Sequence, residues 1–190
     1  MTNVTIFGTG NMGTAIASVL ASGGASINHI DTDATGTVTG DVVILAVPYT
    51  SLSTIASTYA DQLAGKIVVE TTNPLDFATF DSLVVPVGGS ATAELAQALP
   101  SSKVIKGFNT TFAATLSTKK VGDATTTVLL AGDDTDAKAV VAGLVSAGGV
   151  KAIDAGSLKR AHELEALGFL QLTLAAGEKI SWTGGFGIAE

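Results

Sequence analysis

Six residues near the N-terminus have the types and spacing to hold a phosphate. Gly8-Thr9-Gly10-Asn11-Met12-Gly13 fits G-x-G-x-x-G, follows the β-branched run Val4-Thr5-Ile6-Phe7 directly, and opens a helical stretch. In that context the first glycine permits a tight turn and the second lets the backbone approach a pyrophosphate. The third allows close packing of helix on strand. The helix start adds free N–H groups and the positive end of a dipole. Asp31 stands at the end of the second strand, where an acid bonds the ribose hydroxyls of NAD. No Lys or Arg occurs in Met1–Ala64, which also favours NAD, because a 2′-phosphate usually finds a basic partner. His29, Asn28 and Thr32 offer such a phosphate hydrogen bonds only. The competing readings are a glycine-rich turn that holds nothing and a solvated loop acid.

Other patterns suggest different chemistry. Asp31-Thr32-Asp33-Ala34-Thr35 resembles the D-x-D-x-T nucleophile loop of haloacid dehalogenase-class phosphatases, and Gly132-Asp133-Asp134-Thr135-Asp136 resembles their metal-binding segment. Against that reading, a whole dinucleotide-type βα unit comes first. A calcium loop starting at Asp31 would place Val42 where Glu is required. His162-Glu163 has Ala166 where a zinc protease needs its second His. With no cysteine and two histidines, thiolate and histidine-rich metal sites are excluded.

These residues need elements to position them. Short β-branched runs alternate with longer small-apolar stretches, which predicts an α/β fold. Strands are expected at Val4–Phe7, Ser26–Ile30, Val42–Val47, Ile67–Glu70, Val104–Lys106, Thr127–Ala131 and Val150–Asp154. Helices are expected at Asn11–Ala21, Leu52–Leu63, Ala93–Leu99, Asp136–Ser146 and Ser157–Gly177. Between the second and third strands lie only the residues Asp31–Gly40, too few for a helical crossover of at least about 10–12 residues plus its turns. The expected architecture is a Rossmann-type, doubly wound, mostly parallel sheet with its second crossover helix missing and a long C-terminal helix. Residues 1–155 form the dinucleotide-binding domain, and residues 156–190 add the helix and tail to the same compact unit.

Composition narrows the function. Charged residues are 14% of the chain, below the roughly 25% of an average soluble domain, and 22 glycines accompany a net charge of −7. Mean hydropathy is +0.46, but glycine, proline, serine and threonine interrupt every uncharged stretch before the ~20 apolar residues of a membrane span. No basic segment precedes an apolar core at the N-terminus, so a cytoplasmic protein without a secretory signal is expected. The acidic balance argues against nucleic acid as a partner. The last helix carries an apolar stripe at Leu158, Ala161, Leu164, Leu167, Gly168, Leu172 and Ala175, which predicts burial on the sheet or pairing into a homodimer.

Five stretches stand in a characteristic order. They are Ile6–Gly13 with Thr14-Ala15-Ile16-Ala17, Asp41–Pro48, Thr72-Asn73-Pro74-Leu75, Lys106-Gly107-Phe108-Asn109-Thr110 and Ala131-Gly132-Asp133-Asp134. Together, over about Thr2 to Leu174, they resemble the NADP oxidoreductases that use the deazaflavin coenzyme F-420, a family related to pyrroline-5-carboxylate reductases. The resemblance implies bound NADP(H) and hydride transfer with a second redox partner. It places Thr9, Gly10, Asn11 and Met12 at the pyrophosphate, and Ala46, Val47, Pro48 and Tyr49 by the adenosine ribose and pyrophosphate. Asn73 and Pro74 fall by the nicotinamide, and Phe108, Asn109 and Thr110 line the second substrate's pocket. Relatives that bind NADP show Ser or Asn followed by Arg after the second strand, where this chain has Asn28-His29-Ile30-Asp31. Hydride transfer needs orientation and exclusion of water rather than a nucleophile. A carbonyl or imine acceptor would also need a proton donor. Candidates are Asn109, Thr110, Lys106 and His162, although Lys106 also reads as a surface charge and His162 as a polar residue on a helix face. A dinucleotide sensor without turnover is the remaining alternative.

Overall fold

Strand β1 (Asn3–Phe7) is buried along Val4–Phe7 because the sheet extends to both sides of it. The computed structural model describes residues 1–31 and 36–188. After α1 (Asn11–Ser22), strand β2 (Ser26–Ile30) lies parallel to β1 at the sheet edge. The chain then crosses to the other side of β1. There β3 (Val42–Leu45), α2 (Leu52–Leu63), β4 (Ile67–Glu70), α3 (Ala91–Ala98) and β5 (Lys103–Lys106) extend a parallel sheet. Next come α4 (Ala113–Thr118) and a small antiparallel pair, β6 (Lys120–Val121) with β7 (Ala124–Thr125). Strand β8 (Thr127–Gly132) joins β5 antiparallel, and α5 (Thr135–Ala147) leads to β9 (Lys151–Gly156), parallel to β8. A single 3₁₀ turn at Leu158–Arg160 precedes α6 (Ala161–Ala176). The sheet order is β2-β1-β3-β4-β5-β8-β9.

The unbroken apolar run of β3 reflects burial on both faces. Val42 and Ile44 pack with α1, α4 and α5 residues such as Ile16, Leu116 and Val141. Val43 and Leu45 pack with α2 and α3 residues such as Ile55, Leu63 and Leu95. Two apolar layers thus sandwich the sheet, and only the ends of its strands remain for ligands.

Between β2 and β3 no helix occurs among the described residues. Instead the connection leans on neighbours. Gly36 N–H donates to Tyr59 Oη (3.2 Å), Val38 N–H to Gln62 Oε1 (2.9 Å) and Gly40 N–H to Thr5 Oγ1 (2.9 Å). The phosphatase-like loop lies largely outside the described residues, since Thr32, Asp33, Ala34 and Thr35 are not among them. Its second half is structural. Asp134 caps α5 by accepting from Ala137 N–H (2.8 Å), and Asp133 accepts from Leu158 N–H (2.9 Å).

Helix α6 differs from the predicted stripe. Ala161, Leu164, Gly168 and Ala175 are buried, but so are Glu165 and Gln171, while Leu158, Leu167 and Leu172 are half-buried. Polar residues enter this interface because α6 crosses the strand ends, where charged and backbone groups await partners.

Candidate functional site

The Gly8–Gly13 loop joins β1 to α1. Gly8 has φ +103, and a Cβ on it would lie 2.2 Å from Ala46 O. At Gly13 a Cβ would lie 2.4 Å from Gly8 O. Both positions are therefore closed by the chain's own packing. Gly10 differs: among the described residues, no atom beyond its chain neighbours and its own helix lies within 4 Å of its Cβ direction, and its φ of −72 is ordinary. No internal contact requires glycine there, so the space suits a group from outside the chain. Gly10 also begins α1 without a side-chain cap, and no acidic residue stands in the first turn. The leading N–H groups, which lack intrahelical acceptors, thus lie at an exposed Thr9-Gly10-Asn11 with no acidic side chain in their own turn. This is a fitting cradle for a pyrophosphate.

The loop's outer neighbours supply hydrogen bonds and no cation. His29 Nδ1 lies 3.2 Å from Gly8 O and braces the turn from β2. Asp31 is exposed at the end of that strand. On the other side Ala46 N–H donates to Phe7 O (2.9 Å), Val47 is buried and Pro48 exposed. The Tyr49 hydroxyl donates to Glu94 Oε2 (2.6 Å). That bond, then burial, pushes its pKa up to about 12. Tyr49 also borders a cavity between α2 and α3 with Leu52, Ala56 and Leu95.

The ends of β4 and β5 carry a pair of asparagines. Asn73 Nδ2 donates to Asn109 O (2.8 Å). Asn109 Nδ2 donates to Asn73 Oδ1 (2.9 Å) and to Leu164 O (2.7 Å). Helix α6 comes close enough to join them through Gly168, where a Cβ would lie 2.2 Å from Asn73 Oδ1. The buried Oδ1 of Asn109 and Oγ1 of Thr72 have no hydrogen-bond partner among the described residues, an uncommon state for buried polar atoms. Phe108 turns the chain here with φ +64, strained for an aromatic residue.

Beside this pair opens a pocket of about 410 Å³, within the roughly 300–1,000 Å³ usual for small organic ligands. Asn11 and Met12 of α1 line it together with Asn73, Asn109, Thr111, Phe112, Leu172 and Trp182. The same pocket thus adjoins the phosphate loop and the asparagine pair. Among the described residues, none that lines it carries a titratable side chain.

The predicted substrate wall needs correction. Phe108 is fully buried and packs in the α1/α5 layer, so it cannot line the pocket. Phe112, four residues on and carried at the start of α4, lines it instead. Thr110 is buried and borders a small separate space beneath the C-terminal tail. The sequence signals missed were Thr111, Phe112 and Trp182. The first two directly follow the recognised Lys106–Thr110 motif, while Trp182 is brought in only by the fold.

Neither remaining proton-donor candidate reaches the pocket. Lys106 is wholly buried, and its ammonium donates to Glu70 Oε2 (2.7 Å), Thr72 O (2.6 Å) and Glu165 Oε1 (2.9 Å). All its donors are thereby used, which corrects both the surface-charge and the donor readings. Glu70 also accepts from Thr72 N–H and from Thr92 Oγ1 (2.6 Å), while Glu165 accepts from Ala91 N–H (3.1 Å). Burial raises the Glu165 pKa against the opposing pull of Lys106, with Glu70 adding to the rise. His162 Nδ1 lies 3.0 Å from Gly89 O and ties α6 to the loop before α3.

Comparison with known proteins now bears on this geometry. The family model for NADP oxidoreductases dependent on coenzyme F420 matches residues 26–74. The F420-dependent NADP reductase of Methanocaldococcus jannaschii is 37% identical over 150 residues, which cover 76% of this chain and 66% of the archaeal one. Over these segments the chain is similar to the F420-dependent NADP oxidoreductases. Its fold matches that of a candidate F420-dependent NADP reductase from Arthrobacter sp. FB24, with TM-score 0.86 over 100% of both chains at 24% identity. The metalloreductase STEAP3 of Rattus norvegicus is 35% identical over 128 residues, 67% of this chain but 25% of its own length. The chain thus spans just under two thirds of the archaeal reductase and a quarter of the rat protein.

The segment matched by the family model runs from β2 to just beyond the end of β4. It includes His29, Asp31, Ala46–Tyr49 and the Asn73-Pro74 turn. The phosphate loop lies N-terminal to it, and its fit to a dinucleotide rests on the open space at Gly10. Among the described residues, no helix is long and apolar enough to cross a membrane and no cluster of three or more His, Asp or Glu could hold a metal.

Proposed function

We propose that the protein transfers hydride between NADP(H) and a second redox partner with a flat conjugated ring, of the flavin or deazaflavin type. The observation that carries this is the single pocket reaching from the start of α1, at Asn11 and Met12, to the Asn73–Asn109 pair. When bound, the dinucleotide supplies or takes the hydride, and the partner ring accepts its electron pair together with a solvent proton. The chain's own work is placement. The loop and the α1 N-terminus hold the pyrophosphate, and the asparagine pair, locked by Leu164 O, offers amide groups to the nicotinamide carboxamide. Phe112 and Leu172 keep water from the reacting atoms. A pocket without a titratable group favours a ring that takes its proton from solvent over an isolated carbonyl or imine, which needs a protein acid.

No Lys or Arg precedes Lys66, so the 2′-phosphate is held by hydrogen bonds without a charged partner. Selectivity for NADP over NAD should accordingly stay below about tenfold, or ~1.4 kcal/mol. Calorimetric titration with both dinucleotides measures it, and a ratio of a hundred would contradict the assignment. Loss of NADPH absorbance in the presence of oxidised deazariboflavin or riboflavin tests turnover. Tight NADPH binding with no acceptor reduced would support a sensor instead.

A further inference from the structure

The tail after α6 does more than end the chain. Beyond Glu178, itself at φ +57, Lys179 N–H returns to Leu174 O (2.8 Å) and the chain doubles back. A tight turn follows, closed by Gly184 N–H to Ser181 O (2.9 Å) and braced by Ser181 Oγ against Thr183 Oγ1 (2.7 Å). Trp182 sits in this turn, its ring 5.2 Å from that of Phe112 at an angle of 53°. It lines the pocket yet remains 50% exposed, an unusual position for a residue with so much apolar surface.

One buried side chain holds the tail in place. Gln171 of α6 is 2% exposed; its Oε1 accepts from Phe186 N–H (2.8 Å) and its Nε2 donates to Thr110 O (3.3 Å). Gly185 has φ +129, and a Cβ there would lie 3.0 Å from Gln171 Oε1, so the backbone approaches the amide as closely as it can. The amide therefore bridges the end of the tail and the turn that follows β5, the turn that also carries Asn109.

We infer that Trp182, set against Phe112 by the Gln171 latch, selects the second substrate by packing on the face of a flat conjugated ring and excludes substrates held through a carboxylate or phosphate at the reacting end. This rests on the hydride-transfer reading. Among the described residues no charged side chain lines the pocket, so an anionic group placed there would lose its hydration without a partner from them. A ring with delocalised electrons loses little and gains the aromatic contact. Any charged tail on the partner stays outside in solvent. Trp182 is a substrate-contact residue, whereas Gln171 is a positioning residue acting through the tail.

The chain's single tryptophan makes the test direct, because its emission reports this position alone. With NADP saturating, titration with riboflavin or 5-deazariboflavin should quench Trp182 emission saturably. Trp182→Ala should raise KM for the ring substrate at least about tenfold, as stacking losses usually do. Its kcat should change little, its NADP affinity should be unaltered, and Trp182→Phe should restore most of the loss. Gln171→Ala should raise the same KM and shift Trp182 emission to the red as the indole meets water. An unchanged KM in Trp182→Ala, or bound NADP with no response of Trp182 to either ring, overturns this inference alone. Failure of the parent chain to bind NADP overturns the hydride-transfer reading as well.

Discussion

Asn73 and Asn109 are locked to each other by two hydrogen bonds, and Asn109 is also bonded to Leu164 O, so each amide is fixed before any ligand arrives. Asn109→Ala removes the donor to both acceptors. It should cost about 1–3 kcal/mol of stability, the usual penalty for unsatisfied buried groups, and should lower kcat more than it weakens NADP binding. Denaturant unfolding and steady-state kinetics on one preparation check both; an unaltered kcat would remove the pair from the reaction. These two residues were legible through the resemblance carried by the Thr72–Leu75 and Lys106–Thr110 motifs, and their place at strand ends agrees with it. Sequence did not reveal which neighbouring aromatic faces the pocket. Phe108 and Phe112 have the same chemistry, and only the left-handed turn at Phe108 sends one ring into the core and leaves the other at the pocket. Backbone handedness at a single aromatic residue leaves no trace in composition or periodicity.

Helix α6 is the element that joins the site to the fold. Gly168 normally weakens a helix by about 0.5–1 kcal/mol relative to alanine, yet here it admits Asn73. Gly168→Ala should therefore destabilise the protein and displace Asn73, with reduced turnover. A raised melting temperature with full activity would contradict this packing. Lys106 links β5 to Glu70 of β4 and Glu165 of α6 with no exposed surface on any of the three. Lys106→Met strands two buried carboxylates and should cost about 3–5 kcal/mol, measurable by denaturant unfolding. The helix itself was legible from its apolar content. Its orientation was not, because an apolar stripe predicts which residues are buried only when the opposing surface is apolar. Glu165 and Gln171 face inward because a lysine and a tail amide await them there. The short α4 and the β6–β7 pair escaped detection for a simpler reason: elements of 6 and 2 residues complete too few periods to show one.

At the scale of the whole molecule, ionisation sets the pH range of stability. Asp134 and Asp154 have lowered pKa values, from backbone N–H and lysine bonds, and Asp76 is lowered by the Ala78 N–H and Thr79 bonds. Their stabilisation is present above the ordinary carboxylate range and is lost as pH falls through their folded values. Glu165 acts in the opposite sense. Its folded pKa is raised, so the native state binds the extra proton between the ordinary glutamate value, about 4.3, and the raised one, and stability falls as pH rises through that window. Melting curves of the parent and Glu165→Gln across this range should show the difference shifting in favour of the variant as pH rises. A constant difference would contradict the raised value. The mostly parallel sheet with flanking helices was readable from the alternation of strand and helix patterns, and the short β2–β3 connection from strand spacing. The antiparallel turn at β8 was not, since parallel and antiparallel buried strands share the same apolar pattern.

The central claim is that the space at Gly10 belongs to a dinucleotide pyrophosphate. Alanine at this position meets no atom of the described residues beyond its chain neighbours and its own helix, and adopts the native backbone without strain, so a bound ligand should be what detects it. Calorimetric titration of NADPH into the parent and Gly10→Ala, alongside their melting temperatures, separates ligand from fold. The account predicts nearly equal melting temperatures without ligand and affinity reduced at least about tenfold in the variant, or ~1.4 kcal/mol. A folded Gly10→Ala protein that binds NADPH as well as the parent, or a parent that does not bind it, would contradict the account.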